Sequence, residues 1–147
     1  MNQHEAALVL AQLAPDAAVD TDPADATVAT GTADVAGSPA PTEPDEMVRA
    51  LQEQGIASVV LTLGAEGARV ADADGIHRIP PAPVDAVDTT GAGDAFIGAL
   101  ALGLARGDDL PAAARLASRV GAYAATGEGA QPSYPDTAST LPPLAGS

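Results

Sequence analysis

The sequence predicts an α/β fold: a parallel core strand, a short β-meander and two long C-terminal helices. Three observations carry that expectation. Residues 57–63 form an unbroken apolar and β-branched run, the pattern of a strand covered on both faces, as in a parallel sheet under helices. Two short segments, 68–71 and 76–79, follow across Gly-containing turns, the spacing of a meander. Residues 92–105 and 109–125 are then helix-length segments with broad apolar faces.

Taken in order, residues 2–13 read as a short helix, with Ala6, Leu8, Val9, Leu10 and Leu13 supplying apolar surface. From 14 to 44 the character changes to scattered Asp among Ala, Thr, Pro and Gly, which reads as a flexible acidic loop. Asp20 and Asp22 have the spacing of a calcium loop, but the Gly and terminal Glu that such a loop needs are absent. Asp45 is the expected cap of a helix reaching about Gln54, with Val48 and Leu51 inward and Gly55 ending it. The core strand 57–63 leads through Gly64-Ala65-Glu66-Gly67 to strand 68–71, and through Asp72-Ala73-Asp74-Gly75 to strand 76–79.

Pro80, Pro81 and Pro83 end the meander, and 84–87 leads into Asp88-Thr89-Thr90-Gly91-Ala92-Gly93-Asp94-Ala95-Phe96. The helix at 92–105 is apolar nearly all round, with Gly98 and Gly103 allowing neighbours to approach. Asp109 and Pro111 start the next, which carries an inward stripe of Leu116, Val120 and Ala124. A Gly-rich turn (126–133) follows, and the tail 136–147 has no pattern and is expected to be disordered.

Composition narrows the function. The 147 residues suffice for one domain with a core, and that core must be small and aliphatic: hydrophobic residues make up 46%, with one Phe, two Tyr and no Trp. Without Cys, neither a disulfide nor a thiolate-bound metal is available. Six Arg and no Lys face 20 acidic residues, for a net charge of −14, which repels nucleic acid and anionic membrane. The lack of Lys also excludes a P-loop lysine and a Schiff base. No basic N-terminal stretch or membrane-length apolar run is present, so a soluble cytoplasmic protein is expected.

The stretch 88–96 concentrates the chemistry. Gly91 and Gly93 lack a Cβ, so backbone N–H groups can approach a bound group, and the helix that follows leaves its first N–H groups unpaired. Phosphate oxygens bind well at such a place. Asp94 there repels phosphate, which makes sense if it takes a proton from a hydroxyl attacking that phosphate. The plainer reading is a cap and a tight turn. A dinucleotide fingerprint needs a third Gly where Phe96 stands, a hydrolase elbow needs Gly-x-Ser-x-Gly, and a metal hydrolase needs clustered ligands where His4 and His77 are isolated.

Four pieces together resemble the ribokinase-like (PfkB) family of sugar kinases: Asp88 to Phe96, its C-terminal signature; Asn2-Gln3-His4-Glu5, its Asn-x-x-Glu motif; Thr62-Leu63-Gly64-x-x-Gly67, its nucleotide-binding segment; and Gly129-Ala130-Gln131-Pro132-Ser133, the turn that closes the site in ribokinases. The resemblance implies a partial ribokinase-like three-layer α/β sandwich. It implies ATP-dependent phosphorylation of a sugar hydroxyl, with ribose to ribose 5-phosphate favoured by the last turn. Asp94 would be the general base, and Gly91, Ala92 and Gly93 the anion hole. Asn2 and Glu5 would help position Mg²⁺ and phosphate, and Thr62, Gly64 and Gly67 would lie along the nucleotide. A monovalent cation, typically K⁺, would be held by the Asp88 carboxylate, the Thr90, Ala124, Gly127 and Gly129 carbonyls and the Ser133 hydroxyl.

The plainer alternatives are a strand residue at Thr62, a turn cap at Ser133, a turn former at Asp88 and a helix cap made by Asn2 with Glu5. The resemblance covers 1–135 as the C-terminal half of the family's domain, without its sugar lid or sugar-binding segment. Met1 directly before Asn2 suggests a truncated or misassigned reading frame. The isolated chain is therefore expected to be inactive, to form homodimers, or to depend on an N-terminal half. Alternatives are a non-catalytic nucleotide-binding remnant and a kinase of the fructokinase or adenosine kinase type.

Overall fold

A computed structural model of the chain describes residues 1–7 and 42–146. The remainder of the expected first helix and the acidic loop through residue 41, Asp20 and Asp22 included, lie outside the described residues. Residues 3–7 are helical.

Helix α1 (Pro44–Glu53) begins with a proline, whose missing N–H costs nothing in a first turn, and stops before Gly55 at φ 91°. Asp45, expected as its cap, lies inside the first turn; Glu43 precedes the helix instead. The Asp45 carboxylate has another partner, accepting a 2.6 Å hydrogen bond from Nε of the buried Arg69.

Strands β1 (Val59–Thr62), β2 (Ala68–Asp72) and β3 (Gly75–Ile79) form an antiparallel sheet in that order. Val59 pairs with Ala71 and Thr62 with Ala68, while Ala68 pairs in turn with Ile79. On its other edge β1 has a parallel bridge, Asn2 to Thr62. The strand buried on both faces is β2 rather than β1, because β2 is the central one: Ala68 to Ala71 are all buried, whereas Val60 and Thr62 of β1 are half-exposed.

Alternation along β2 divides the core. Ala71 joins Val59 and Leu61 against Met47, Val48 and Leu51 of α1. Ala68 and Val70 join Ile79 on the opposite face, against helices α2 (Ala92–Ala105) and α3 (Leu110–Ala124) through Phe96, Ala99, Ala114 and Ala117. The result is helix, sheet and helix pair in three layers.

Asp109 caps α3 as expected, its Oδ1 accepting from Ala112 N–H at 2.7 Å. The buried face of α3 is made of Ala113, Ala114, Ala117, Ser118, Gly121 and Ala124. Leu116 and Val120, expected in that stripe, are half-exposed at its margins, because small residues let α2 come close. A Cβ on Gly103 would stand 2.8 Å from the Ala113 Cβ, and one on Gly121 would stand 3.0 Å from the Ala92 carbonyl. These two contacts make the pair antiparallel. Gly98 faces open space, and the far side of α2 is uncovered among the described residues: Ile97, Leu102 and Leu104 are 62%, 47% and 44% exposed.

The tail, expected from sequence to be disordered, has contacts in this structure. Residues 136–146 run back over α3, where Arg119 Nε donates to Pro142 O at 2.8 Å and Nη2 to Leu141 O at 3.1 Å. Ala145 N–H then reaches Pro81 O at 2.8 Å. Backbone carbonyls hold this segment, so it leaves no apolar periodicity to read. No helix among the described residues is long and apolar enough to cross a membrane.

Candidate active site

The end of β1 and the start of α2 face each other across a cavity of about 510 Å³. Thr62, Gly64 and Gly67 line one side, Ala92 and Gly93 another. Residues separated by 25 to 31 positions in sequence are thus gathered at one concavity, of the size typical for small-molecule sites. Gly67 can sit there only as glycine. Its φ is 87°, and a Cβ would overlap the Ile79 carbonyl and stand 2.8 Å from Pro81 N.

The turn into α2 is left-handed at Gly91 (φ 80°), and a Cβ there would stand 2.6 Å from that of Ala130. The Ala92 N–H is taken by Thr89 O at 3.1 Å. The N–H groups of Gly93 and Asp94 have no backbone acceptor among the described residues, so two donors remain at the first turn of a 14-residue helix. Asp94 is exposed and turns to a second, more open hollow of about 570 Å³ between α2 and the 134–141 segment, which it shares with Arg106, Tyr134 and Asp136. Gly93 faces one concavity and Asp94 the next.

Beside this turn lies a knot of oxygen atoms. Asp88 Oδ1 accepts from Thr90 N–H at 2.8 Å and Oδ2 from Gly129 N–H at 3.1 Å. Ser133 Oγ donates to the carbonyls of Gly129 and Glu128. Gly127 packs so tightly on Ser133 that a Cβ would stand 2.6 Å from Oγ. Ala124 is adjacent in sequence to Ala125, whose carbonyl accepts from the N–H groups of Val87 and Asp88. Asp88, Thr90, Gly127, Gly129 and Ser133 are therefore neighbours, and a carboxylate with carbonyl and hydroxyl oxygens is a donor set suited to a hard cation.

The hydroxyl and N–H of Thr90 and the N–H of Gly129 hold the Asp88 carboxyl below its ordinary value of 3.8, against a smaller opposing effect of burial. A depressed carboxylate contributes stability that is complete above the unfolded value and is lost as pH falls through the folded one. The stability gap between wild type and Asp88→Asn is accordingly expected to be constant at neutral pH and to close below about pH 4. Melting curves of both proteins across that range check it; a gap that persists at pH 2 would remove the charge from the explanation.

Asn2 and Glu5 do not line either hollow. They form a reciprocal capping box: Glu5 N–H donates to Asn2 Oδ1 and Asn2 N–H to Glu5 Oε2, both at 2.9 Å. The bridge to Thr62 nevertheless keeps them at the cavity end of β1. The Thr62 hydroxyl reaches Met1 O at 3.3 Å.

Sequence reasoning missed the cavity's far wall, Pro81 to Val84 with Ser118, Gly121, Ala122 and Ala125. One signal was available: Gly121 interrupts a helix where Ala would be favoured by about 1 kcal/mol, which points to a close approach.

Residues 6–137 match the sequence profile of the pfkB family carbohydrate kinases. The chain belongs to the PfkB family. One relative of this PfkB chain is the deoxyribokinase of Salmonella typhi, 40% identical over 87 residues, which are 59% of this chain and 28% of that protein. Among solved PfkB relatives, Vibrio cholerae O395 fructokinase in its fructose, ADP and calcium ion bound form is 37% identical, with a TM-score of 0.58 over 64% of this chain and 32% of its own. Escherichia coli phosphofructokinase-2 in complex with potassium is 33% identical, with a TM-score of 0.55 over 61% of this chain and 30% of its own. The chain thus spans 28–32% of the length of these PfkB proteins, and its three layers are part of a ribokinase-like α/β fold.

Proposed function

We propose that this chain carries the nucleotide and phosphoryl-transfer side of an ATP-dependent sugar kinase. The observation that carries the reading is the single cavity joining Thr62, Gly64 and Gly67 to Ala92 and Gly93, with Asp94 facing away from it. On this reading the nucleotide phosphates lie along Gly64 and Gly67 and end at the free N–H groups of the α2 turn. Gly91 and Gly93 stabilise charge that develops on the transferred phosphoryl group, joined by Ala92 once its N–H leaves Thr89 O. The acceptor hydroxyl approaches from the Asp94 side. Its oxygen bonds to the γ-phosphorus as the bond to the bridging oxygen of ADP breaks, and its proton passes to Asp94.

Mg²⁺, when bound, would neutralise phosphate charge; Asn2 and Glu5 sit near the cavity end of β1 and would position it through water only by giving up their capping box. K⁺ would fit the Asp88, Thr90, Ala124, Gly127, Gly129 and Ser133 oxygens, and its charge would favour an anion at the neighbouring turn. Potassium in the E. coli relative and ADP in the V. cholerae relative support these assignments. Ribose, giving ribose 5-phosphate, is favoured as acceptor by the Gly129-Ala130-Gln131-Pro132-Ser133 turn. The relatives named above are kinases of other sugars, so deoxyribose and fructose belong in the same assay.

A second reading, nucleotide binding without transfer, is favoured by the exposure of Asp94 and the openness of its hollow. Water reaches that carboxylate, and the face of α2 that the described residues leave uncovered would be an association surface. Calorimetry of the chain with ATP and Mg²⁺, in K⁺ and in tetramethylammonium, is the test. Saturable binding that is tighter in K⁺ is expected, with the difference lost in Asp88→Ala. A folded chain that binds no ATP would overturn both readings. Ribose phosphate formation in parallel separates them; by the chain alone it is expected to be slight.

A further inference from the structure

The far wall of the nucleotide cavity is Pro81-Ala82-Pro83-Val84, following directly on Pro80. Prolines supply no N–H, so this turn is tethered largely through its carbonyls. Pro80 O accepts from the Ser118 hydroxyl of α3 at 3.4 Å, a long bond. Pro81 O accepts from Ala145 N–H at 2.8 Å, a better one. Ala145 lies in the returning tail, and the tail is fixed to α3 by Arg119, whose guanidinium spans two successive carbonyls, Leu141 and Pro142. Arg119 lines neither hollow. Ala145 lies 64 positions after Pro81 in sequence, yet a short path of hydrogen bonds runs from Arg119 through the tail to the cavity wall.

We propose that residues 141–145 are a strap that positions the Pro81–Val84 wall of the nucleotide site, with Arg119 as the positioning residue that holds the strap. The proposal rests on the reading of the 510 Å³ cavity as a nucleotide site. Arginine suits the role because its planar fork presents separate donors to the two carbonyls, where the lysine ammonium offers a single point. Loosening the strap leaves Pro81 O with no protein donor and the wall dependent on the long Ser118 bond. The wall then samples positions in which it no longer packs against a bound nucleotide.

The test compares Arg119→Met, Arg119→Lys and a chain ending at Pro143, which keeps the Arg119 bonds and removes Leu144 and Ala145 together with the bond to Pro81 O. Affinity for MgATP is measured by calorimetry, and amide exchange is followed at Ala82 and Val84. Arg119→Met and the shortened chain are expected to bind MgATP about 3- to 10-fold more weakly, the scale of one or two net hydrogen bonds. Both are expected to exchange faster at Ala82 and Val84, and Arg119→Lys is expected to fall between them and wild type. Arg69→Met, which loses its bond to Asp45 under α1, is the control for general destabilisation: it should lower the melting temperature and leave MgATP affinity unchanged. If wild type binds MgATP and both strap variants bind it equally well, the strap proposal alone falls. It falls also if Arg69→Met weakens binding as much as they do. If wild type binds no MgATP, the nucleotide reading falls and takes the strap with it.

Discussion

Asp94→Asn is expected to slow phosphoryl transfer by about 10²–10⁴-fold, the usual contribution of a positioned general base, with little change in MgATP affinity. The substitution keeps size and shape and removes only basicity. Affinity should be spared because Asp94 lines the open hollow rather than the nucleotide cavity. A competing account makes Asp94 a helix residue, since a carboxylate in the first turn of α2 offsets the charge at that end. That account predicts a loss of about 0.3–1 kcal/mol in stability and no special loss in rate. Turnover is best measured after residues 1–147 replace the matching segment of V. cholerae fructokinase, with melting curves recorded alongside. A near-normal rate with a lowered melting temperature would make Asp94 structural and remove the proton transfer from the mechanism.

Gly67→Ala is expected to have the largest structural effect of any single methyl added to the chain. The residue stands at φ 87°, and its Cβ would meet only backbone: the Ile79 carbonyl, Pro81 N at 2.8 Å and Pro80 C at 2.9 Å. Backbone cannot swing aside as a side chain can. Strain and overlap together are worth roughly 2–4 kcal/mol, or a fall of about 10 °C in melting temperature. The same displacement moves the Pro81 wall, so MgATP binding should be lost well below the melting transition. Gly75→Ala is the matched comparison, with φ 128° and nothing within 4 Å. It should show the strain without the overlap and retain binding. Equal effects at Gly67 and Gly75 would mean that φ alone matters and that the contact with the proline turn does not.

How much was legible depends on which part of the chain makes each contact. The meander could be read because Gly64, Gly67 and Gly75 take positive φ at its turns, and glycine is the residue for that. The cap at Asp109 was likewise written in one side chain. The motifs that hold Thr62, Gly64, Gly67, Ala92 and Gly93 were each visible, and the structure brings these residues to one cavity. Contacts between backbone and backbone leave no such mark. Nothing in Pro81 or Ala145 announces their bond, and the tail therefore looked patternless. The buried face of α3 was misjudged for a related reason: hydropathy favours Leu116 and Val120, but close helix packing favours Ala117 and Gly121. Asp45 looked like a cap because Arg69, which claims it, lies 24 residues away on a buried strand.

The antiparallel contact of α2 and α3, with Gly121 against Ala92, has an electrostatic consequence. The positive end of one macrodipole lies beside the negative end of the other, each equivalent to about half an elementary charge. An anion at the start of α2 and a cation beyond the end of α3 would each sit at the favourable pole while also facing the other's opposite charge. Two ions bound at such a doublet are thermodynamically linked. Whatever factor K⁺ adds to the affinity for phosphate, phosphate must add to the affinity for K⁺. In a chain with a net charge of −14 and no lysine, such mutual neutralisation would let a polyanion settle with few cationic side chains to receive it.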